Sequence, residues 1–402
     1  KQTKTATATA PEGRTLASGL GALAVLAFVA GFRLAQRSWR KHTPLFDAMN
    51  PAPRPEWKRG LMGFTGPALL FHVLSSFRPD FIPVALRFPL SIVFNAGLLQ
   101  VLLLYLGFVH RERTLLKWGV AVTACISFVG FIQGVMGAMA APWVSLFLAS
   151  WIWGRVFRLR WLLGLAFLVL IINPAKSEYR QIAWGNKDIA NTQRVKERIE
   201  DWQTAFSSVW NRETDWNENV SGTAARLDGL QQFAYVIDMV PAQVPHAHGD
   251  GLERHIYSWI PRVLWPSKPD GTETGNNRFA LQFGLQSDQG VMTATAFMSI
   301  FSQSYWDFGA VWVVVSLLLN GTIMGFLFGR TGRAAPVSSV LALAFFGATI
   351  SPQNPLFETI GSIPVIAVGT FLAFRIITAA NVLMGGGRMV VSRVAVRRGL
   401  EA

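Results

Sequence analysis

Cysteine is all but absent. The chain of 402 residues has one, Cys125, and it falls inside an apolar run. No internal disulfide can form, and thiol chemistry is not expected. Charge is scarce as well, at 15% of residues against 51% hydrophobic, with a mean hydropathy of +0.33. Ordinary soluble domains carry roughly a quarter charged residues, so this composition argues against one. Acids are the scarcer sign, 23 Asp and Glu against 37 Lys and Arg, for a net charge of +14. No repeat of fixed period and no long low-complexity tract is present, which excludes solenoid and collagen-like folds.

What the chain has instead is apolar runs long enough to cross about 30 Å of hydrocarbon as helix. Nine are expected, at 16–36, 60–77, 82–109, 115–134, 141–154, 160–173, 294–328, 336–352 and 360–383. The fifth and sixth are short. The seventh is over-long, so its beginning, Met292 to Tyr305, can be a separate interfacial or re-entrant piece. The expected fold is therefore an all-α polytopic membrane protein. It divides into an N-terminal bundle over 1–173, a polar, mostly helical loop over 174–292, and C-terminal spans with a basic tail over 293–402. Because the sequence opens at Lys1 without a methionine, upstream residues, a further span included, are left open.

The excess of basic residues could suggest nucleic acid, but their placement points elsewhere. They follow alternate spans: Arg33, Arg37, Arg40 and Lys41 after the first, Arg111, Arg113 and Lys117 after the third, and Arg155, Arg158 and Arg160 after the fifth. Arg330 and Arg333 follow the seventh, and Arg388, Arg393, Arg397 and Arg398 the ninth. The positive-inside rule then puts these connections and the C-terminus in the cytoplasm and the long loop outside. That loop holds 15 of the 23 acids against 12 basic residues. A structured external segment of this size suggests chemistry at a membrane surface rather than simple anchoring.

Within the loop, Val195, Ile199, Trp202, Phe206 and Val209 recur at helical spacing, predicting an amphipathic helix over 191–209. It can lie on the bilayer, cap the bundle, or gate a substrate path. A second helix is expected from Leu230 to Val240, ended by Pro241. His246-Ala247-His248-Gly249-Asp250-Gly251 has metal-friendly residue types, but the short spacing needs a further ligand from elsewhere, and no metal site is expected. Tyr257-Ser258-Trp259-Ile260-Pro261-Arg262-Val263-Leu264-Trp265-Pro266-Ser267-Lys268-Pro269 sets rings beside cations on a proline-fixed path. Tyr257, Trp259, Trp265 and Tyr305 are candidates for stacking on sugars. Arg226, Arg254, Arg262, Lys268 and Arg278 are candidates for holding a diphosphate. For acid–base work the candidates are Asp228, Asp250, Glu253 and His248, with Glu358 as an outward carboxylate between the last two spans. Each has a structural alternative: Asp228 can pair with Arg226, Asp250 can close an Asx turn, and His248 can be a solvated loop residue. Polar groups inside spans are costly and often mark a pathway. Arg87 can snorkel or line a substrate entrance, Gln100 sits in the same run, Asn95, Gln133 and Asn320 suit interhelical bonding, and Arg375 suits an inner anchor.

These residues resemble the Wzy-type O-antigen and exopolysaccharide repeat-unit polymerases. The likeness rests on Arg226-Leu227-Asp228 opening a helix and on Gly249 to Glu253 before an aromatic stretch. It also rests on Ile260-Pro261-Arg262-Val263-Leu264-Trp265-Pro266-Ser267-Lys268-Pro269 and on Tyr305-Trp306-Asp307-Phe308-Gly309 entering a span. The resemblance implies a metal-independent, cofactor-free glycosyltransferase of the bacterial inner membrane, joining repeat units carried on undecaprenyl diphosphate at its outer face. A flippase and a chain-length regulator of the same pathway are the implied partners, and nucleic acid is not one. In similar sequences a glutamate often stands two residues before the tyrosine, where this chain has Gln303, and a neutral amide cannot serve as a base. A lipid-linked glycan ligase, a flippase or transporter, and a non-catalytic component of an export machine are the competing readings.

Overall fold

In the computed structural model the described residues are 11–38, 57–78, 81–155, 159–185, 195–211, 229–249, 275–284, 299–328 and 356–383, with a few isolated residues between. Every regular element among them is a helix. In chain order they are α1 (Pro11–Ser38), α2 (Lys58–Phe77), α3 (Val84–Val93), α4 (Ala96–Val109), α5 (Arg113–Ile132), α6 (Met136–Ile152) and α7 (Leu159–Gly185). There follow α8 (Val195–Asn211), α9 (Gly229–Met239), α10 (Gly275–Gln282), α11 (Ile300–Phe308), α12 (Ala310–Phe328) and α13 (Leu356–Leu383).

Four stretches are long and apolar enough to cross a bilayer: Glu12–Arg37, Lys58–Phe77, Arg113–Ile132 and Leu159–Arg180. Four shorter apolar ones accompany them: Ala96–Val109, Met136–Ile152, Ala310–Phe326 and Ile366–Ala380. Large apolar side chains stand exposed on the first and last of the long set, among them Leu26, Leu34, Trp161, Leu163 and Phe167. Hydrocarbon would cover that surface, and water would not, so the fold is that of a membrane-associated helical protein.

Two expected spans are broken. The run 82–109 is not one crossing, because the backbone leaves the helix at Phe94 and restarts at Ala96. Asn95 caps α4, its Oδ1 accepting from the Leu98 amide at 2.9 Å. Asn95 is thus an N-cap and not an interhelical tie. The run 294–328 divides at Gly309, whose φ of +80 no ordinary side chain adopts easily. The Ser299 side chain caps the shorter piece, α11, by accepting from Ser302 N. At nine residues α11 is too short to be a crossing. The fifth and sixth spans are longer than hydropathy indicated, as α6 and α7, the latter continuing past Pro174 to Gly185. Of the run 336–352, only Val340, Leu343 and Ala344 are among the described residues.

Helices α4, α5 and α6 form an antiparallel core of leucine, valine and glycine contacts around Leu102, Leu104, Leu115 and Val122. Gln100 ties the three together: its Nε2 donates to Thr123 Oγ1 and to the Pro142 carbonyl, both at 2.8 Å. At one end of this core Lys58 Nζ meets Glu112 Oε1 at 2.9 Å. At the other, Gln133 Nε2 donates to the Ser76 carbonyl at 3.1 Å. Helices α2 and α5 therefore run parallel, each starting at the end that carries Arg111 and Arg113. The amphipathic α8 caps the opposite end. Its Trp202 is sandwiched between Phe131, at 4.3 Å, and Tyr179, at 4.4 Å, so its apolar face packs on protein.

Helix α1 pairs with α12 in parallel. Gly31 abuts Leu318 and Thr322, Gly321 abuts the Phe28 carbonyl, and Gly325 abuts the Phe32 carbonyl. Both helices precede basic clusters, so the alternation of charge and the geometry agree that the two start on the same face. Gly321 and Gly325, four residues apart, let the backbones meet without an intervening side chain. A Cβ at Gly321 would lie well inside van der Waals contact of a carbonyl oxygen, whereas one at Gly19 would meet open space. We therefore expect Gly321→Leu to remove most of the folded protein from the membrane and Gly19→Ala to leave it, as measured by immunoblot of washed membranes. Equal abundance of the two would contradict this pairing.

Candidate functional site

The starting ends of α1 and α12 are joined by α9, α11 and the loop after α9. Phe233 and Ala234 of α9 pack with Ala17, Ala24, Ile300, Val313 and Leu317. The neighbouring Gln232 fixes the entry to α11: its Oε1 accepts from the Ser299 amide at 2.9 Å and from Ser302 Oγ at 3.3 Å. A serine pair, Ser304 Oγ and Ser316 Oγ at 2.7 Å, then fastens α11 to α12. On the remaining side, Trp306 packs with Phe279 and Phe283 of α10 and with Val236, Val240 and Val244.

The C-terminus of any helix leaves carbonyls without intrahelical partners. In α11 the histidine loop satisfies them. Ala247 N donates to Trp306 O at 2.9 Å and His248 N to Asp307 O at 3.0 Å, while Trp306 Nε1 returns a bond to Pro245 O at 3.2 Å. The cost falls on His248, held at φ +49, and is eased at Gly249, φ +75, where a Cβ would press on the Phe308 ring. Left-handed non-glycine residues of this kind are uncommon and tend to cluster at functional sites.

One side chain in the loop has its chemistry set by this arrangement. His246 Nδ1 lies 3.1 Å from Trp306 O. A carbonyl oxygen only accepts, so Nδ1 carries the hydrogen, and in the neutral ring Nε2 is left with its lone pair. The ring is half-buried, 6.3 Å from Tyr305 and 6.0 Å from His248 between centroids. On α11, Asp307 is 3% exposed, and burial pushes its carboxyl up to about 7. Burial raises the Tyr305 phenol too.

Of the residues singled out from sequence, His248, exposed on the loop, and Tyr305 on α11 each lie beside His246, and Arg278 precedes Phe279 in α10. Trp265 is half-exposed and donates from Nε1 to Ser267 Oγ at 3.1 Å. Glu358 lies in the first turn of α13, its side chain outside what is described. Asp228, Asp250, Glu253, Arg226, Arg254, Arg262, Lys268, Tyr257 and Trp259 lie outside the described residues. His246 and Asp307 were not singled out. Both stood in quoted motifs, but their value comes from a tautomer and a burial that spacing does not reveal. Among the described residues no group of three His, Cys, Asp or Glu side chains could hold a metal ion.

Fold and site together define an all-helical, membrane-associated protein whose polar groups gather at the starting ends of two parallel helices. Residues 68–333 match the model of DUF8712, a domain of unknown function, and the chain belongs to that family. The match runs from within α2 to just beyond α12. Neither the curated proteins nor the solved structures give a match.

Proposed function

We propose that this protein is a membrane-embedded glycosyltransferase that joins repeat units carried on undecaprenyl diphosphate, at the outer face of the bacterial cytoplasmic membrane. The observation that carries this reading is His246, an imidazole whose tautomer is fixed by Trp306 O, set at the ends of α1 and α12 remote from their basic clusters. Nε2 takes the proton of an acceptor sugar hydroxyl as that oxygen attacks the anomeric carbon of the donor glycan. The bond from that carbon to the lipid diphosphate breaks, and the diphosphate leaves with the electron pair. Leaving-group charge needs cations, which Arg226, Arg254, Arg262, Lys268 and Arg278 can supply at about 1.5–3 kcal/mol for each charge-assisted hydrogen bond. Tyr305 offers a ring face to a sugar. The resemblance to Wzy-type polymerases supports the substrate class.

The test is genetic and chemical. In cells lacking the gene, lipid-linked glycan resolved by length is expected to stop at single repeat units. Restoring the gene is expected to restore the ladder. Long chains on the lipid carrier in the deleted strain, with loss only of glycan on a final acceptor, would instead indicate a ligase.

A further inference from the structure

The histidine loop brings two imidazoles to one place. His246 and His248 are separated by a single residue, and their ring centroids stand 6.0 Å apart with the planes inclined at 57°. Ring nitrogens about 2.0–2.1 Å from one shared zinc ion set the two centroids roughly 5 Å apart at tetrahedral angles, and about 6.4 Å apart when the nitrogens face each other across the ion. The observed separation falls inside that range.

The two rings are prepared in different ways. His246 donates from Nδ1 to Trp306 O at 3.1 Å, which leaves Nε2 with its lone pair. A metal-ligating histidine almost always spends its other ring N–H on a carbonyl or carboxylate in this manner, which fixes the tautomer and makes the ligating nitrogen more basic. The Cε1 edge, which adjoins Nε2, faces Gly309, where a Cβ would come only to 3.6 Å, so no side chain of that residue crowds it. His248 is positioned by its backbone, at φ +49 with its N–H on Asp307 O at 3.0 Å. Its ring lies against Phe308, 6.4 Å between centroids, while the residue stays open to water. The loop also sits on the C-terminal end of α11, where the helix contributes partial negative charge that favours a cation. Neutral imidazoles suit zinc or copper(II), whereas calcium and magnesium take oxygen ligands. Two protein ligands fall short of a closed structural site and leave the remaining positions to water, so such an ion exchanges readily.

We infer that Nε2 of His246 and a ring nitrogen of His248 chelate one exchangeable ion of the zinc and copper(II) class, and that this ion inhibits the protein by occupying the lone pair of His246. The binding rests on the geometry of the two rings alone. The inhibition rests on the role proposed above for His246, since one nitrogen cannot hold a metal ion and accept a proton at once.

The experiment uses the full chain in lipid nanodiscs, purified without a polyhistidine tag and stripped with a chelator. Zinc chloride is titrated at neutral pH in competition with a chromophoric zinc indicator. One saturable ion per chain is expected, copper(II) should bind more tightly than zinc, and calcium and magnesium should not compete. His248→Ala and His246→Asn should each weaken zinc by at least about tenfold, the loss that even an outer-shell partner of a metal site brings. Undiminished zinc binding in either variant, or no saturable binding by the wild type, would overturn the site. Should a variant fail to fold, the nitrogen hyperfine pattern of copper(II) on the wild type decides: two coordinated imidazoles support the chelate, and one or none refutes it. In membranes that extend glycan, zinc should stop extension and a chelator should restore it. Saturable binding that both variants lose, with extension untouched at saturating zinc, would keep the site while overturning both the inhibition and the proton-accepting role of His246.

Discussion

His246→Asn is expected to stop glycan extension almost completely while leaving the protein at normal abundance in the membrane. The asparagine amide can still donate to Trp306 O from near the Nδ1 position, so the loop keeps its fastening to α11. What it lacks is the lone pair of Nε2. Positioned proton transfer contributes roughly 10²–10⁴-fold to rate, and a loss of that size would leave single lipid-linked units where wild type makes long chains. His246→Ala should fall as far and also loosen the loop. His248→Ala should cost little, because its hydrogen bond is made by the backbone N–H, at 3.0 Å from Asp307 O, and its side chain is exposed. Length-resolved gels of the glycan, with immunoblot of the membrane fraction, separate these cases. If His246→Asn still makes full-length polymer, the imidazole is only a cap and the base must be sought elsewhere.

The hydropathy of the sequence carried the helical fold, because apolar side chains in long runs leave little alternative to helix in a bilayer. The placement of charge carried the relative direction of two helices. The basic clusters after the first and seventh runs imply that both start on one face, and Gly31, Gly321 and Gly325 show α1 and α12 packed parallel. What hydropathy could not carry is where a run breaks. Asn95 and Gly309 sit inside apolar stretches, and their effect is local: a side-chain cap in one case and a positive φ in the other. The amphipathic pattern of α8 identified its apolar face but not what covers it, which is Phe131 and Tyr179.

The site was legible only in outline. Tyr305 and His248 were singled out by residue type and each lies beside His246, while His246 and Asp307 themselves, each two residues from one of them, were not. Their roles depend on contacts across about 60 positions of chain, such as His246 with Trp306, and no local pattern reports these. The substitution of an amide for the glutamate often found two residues before the tyrosine in similar sequences is also explained differently by the structure. Gln303 is buried in the α11–α12 hairpin and serves there as an oxygen acceptor without a partner.

Asp307 makes stability depend on pH in a direction opposite to most carboxylates. Burial raises its folded-state value to about 7, against 3.8 for the free side chain. Below about pH 4 both folded and unfolded chains hold the proton, and the contribution of this group is fully present. Between pH 4 and 7 the unfolded chain gives its proton up while the folded chain keeps it, so stability falls as pH rises and levels off above pH 7. Each pH unit in that window removes about 1.4 kcal/mol, for a total of at most roughly 4 kcal/mol. Asp307→Asn keeps the shape and removes the ionisation. The variant is therefore expected to unfold at nearly the wild-type temperature at pH 4 and at a clearly higher one at pH 8. The gap should open progressively between those values. Parallel wild-type and variant curves across that range would mean that the carboxyl is compensated by a charge in the folded protein.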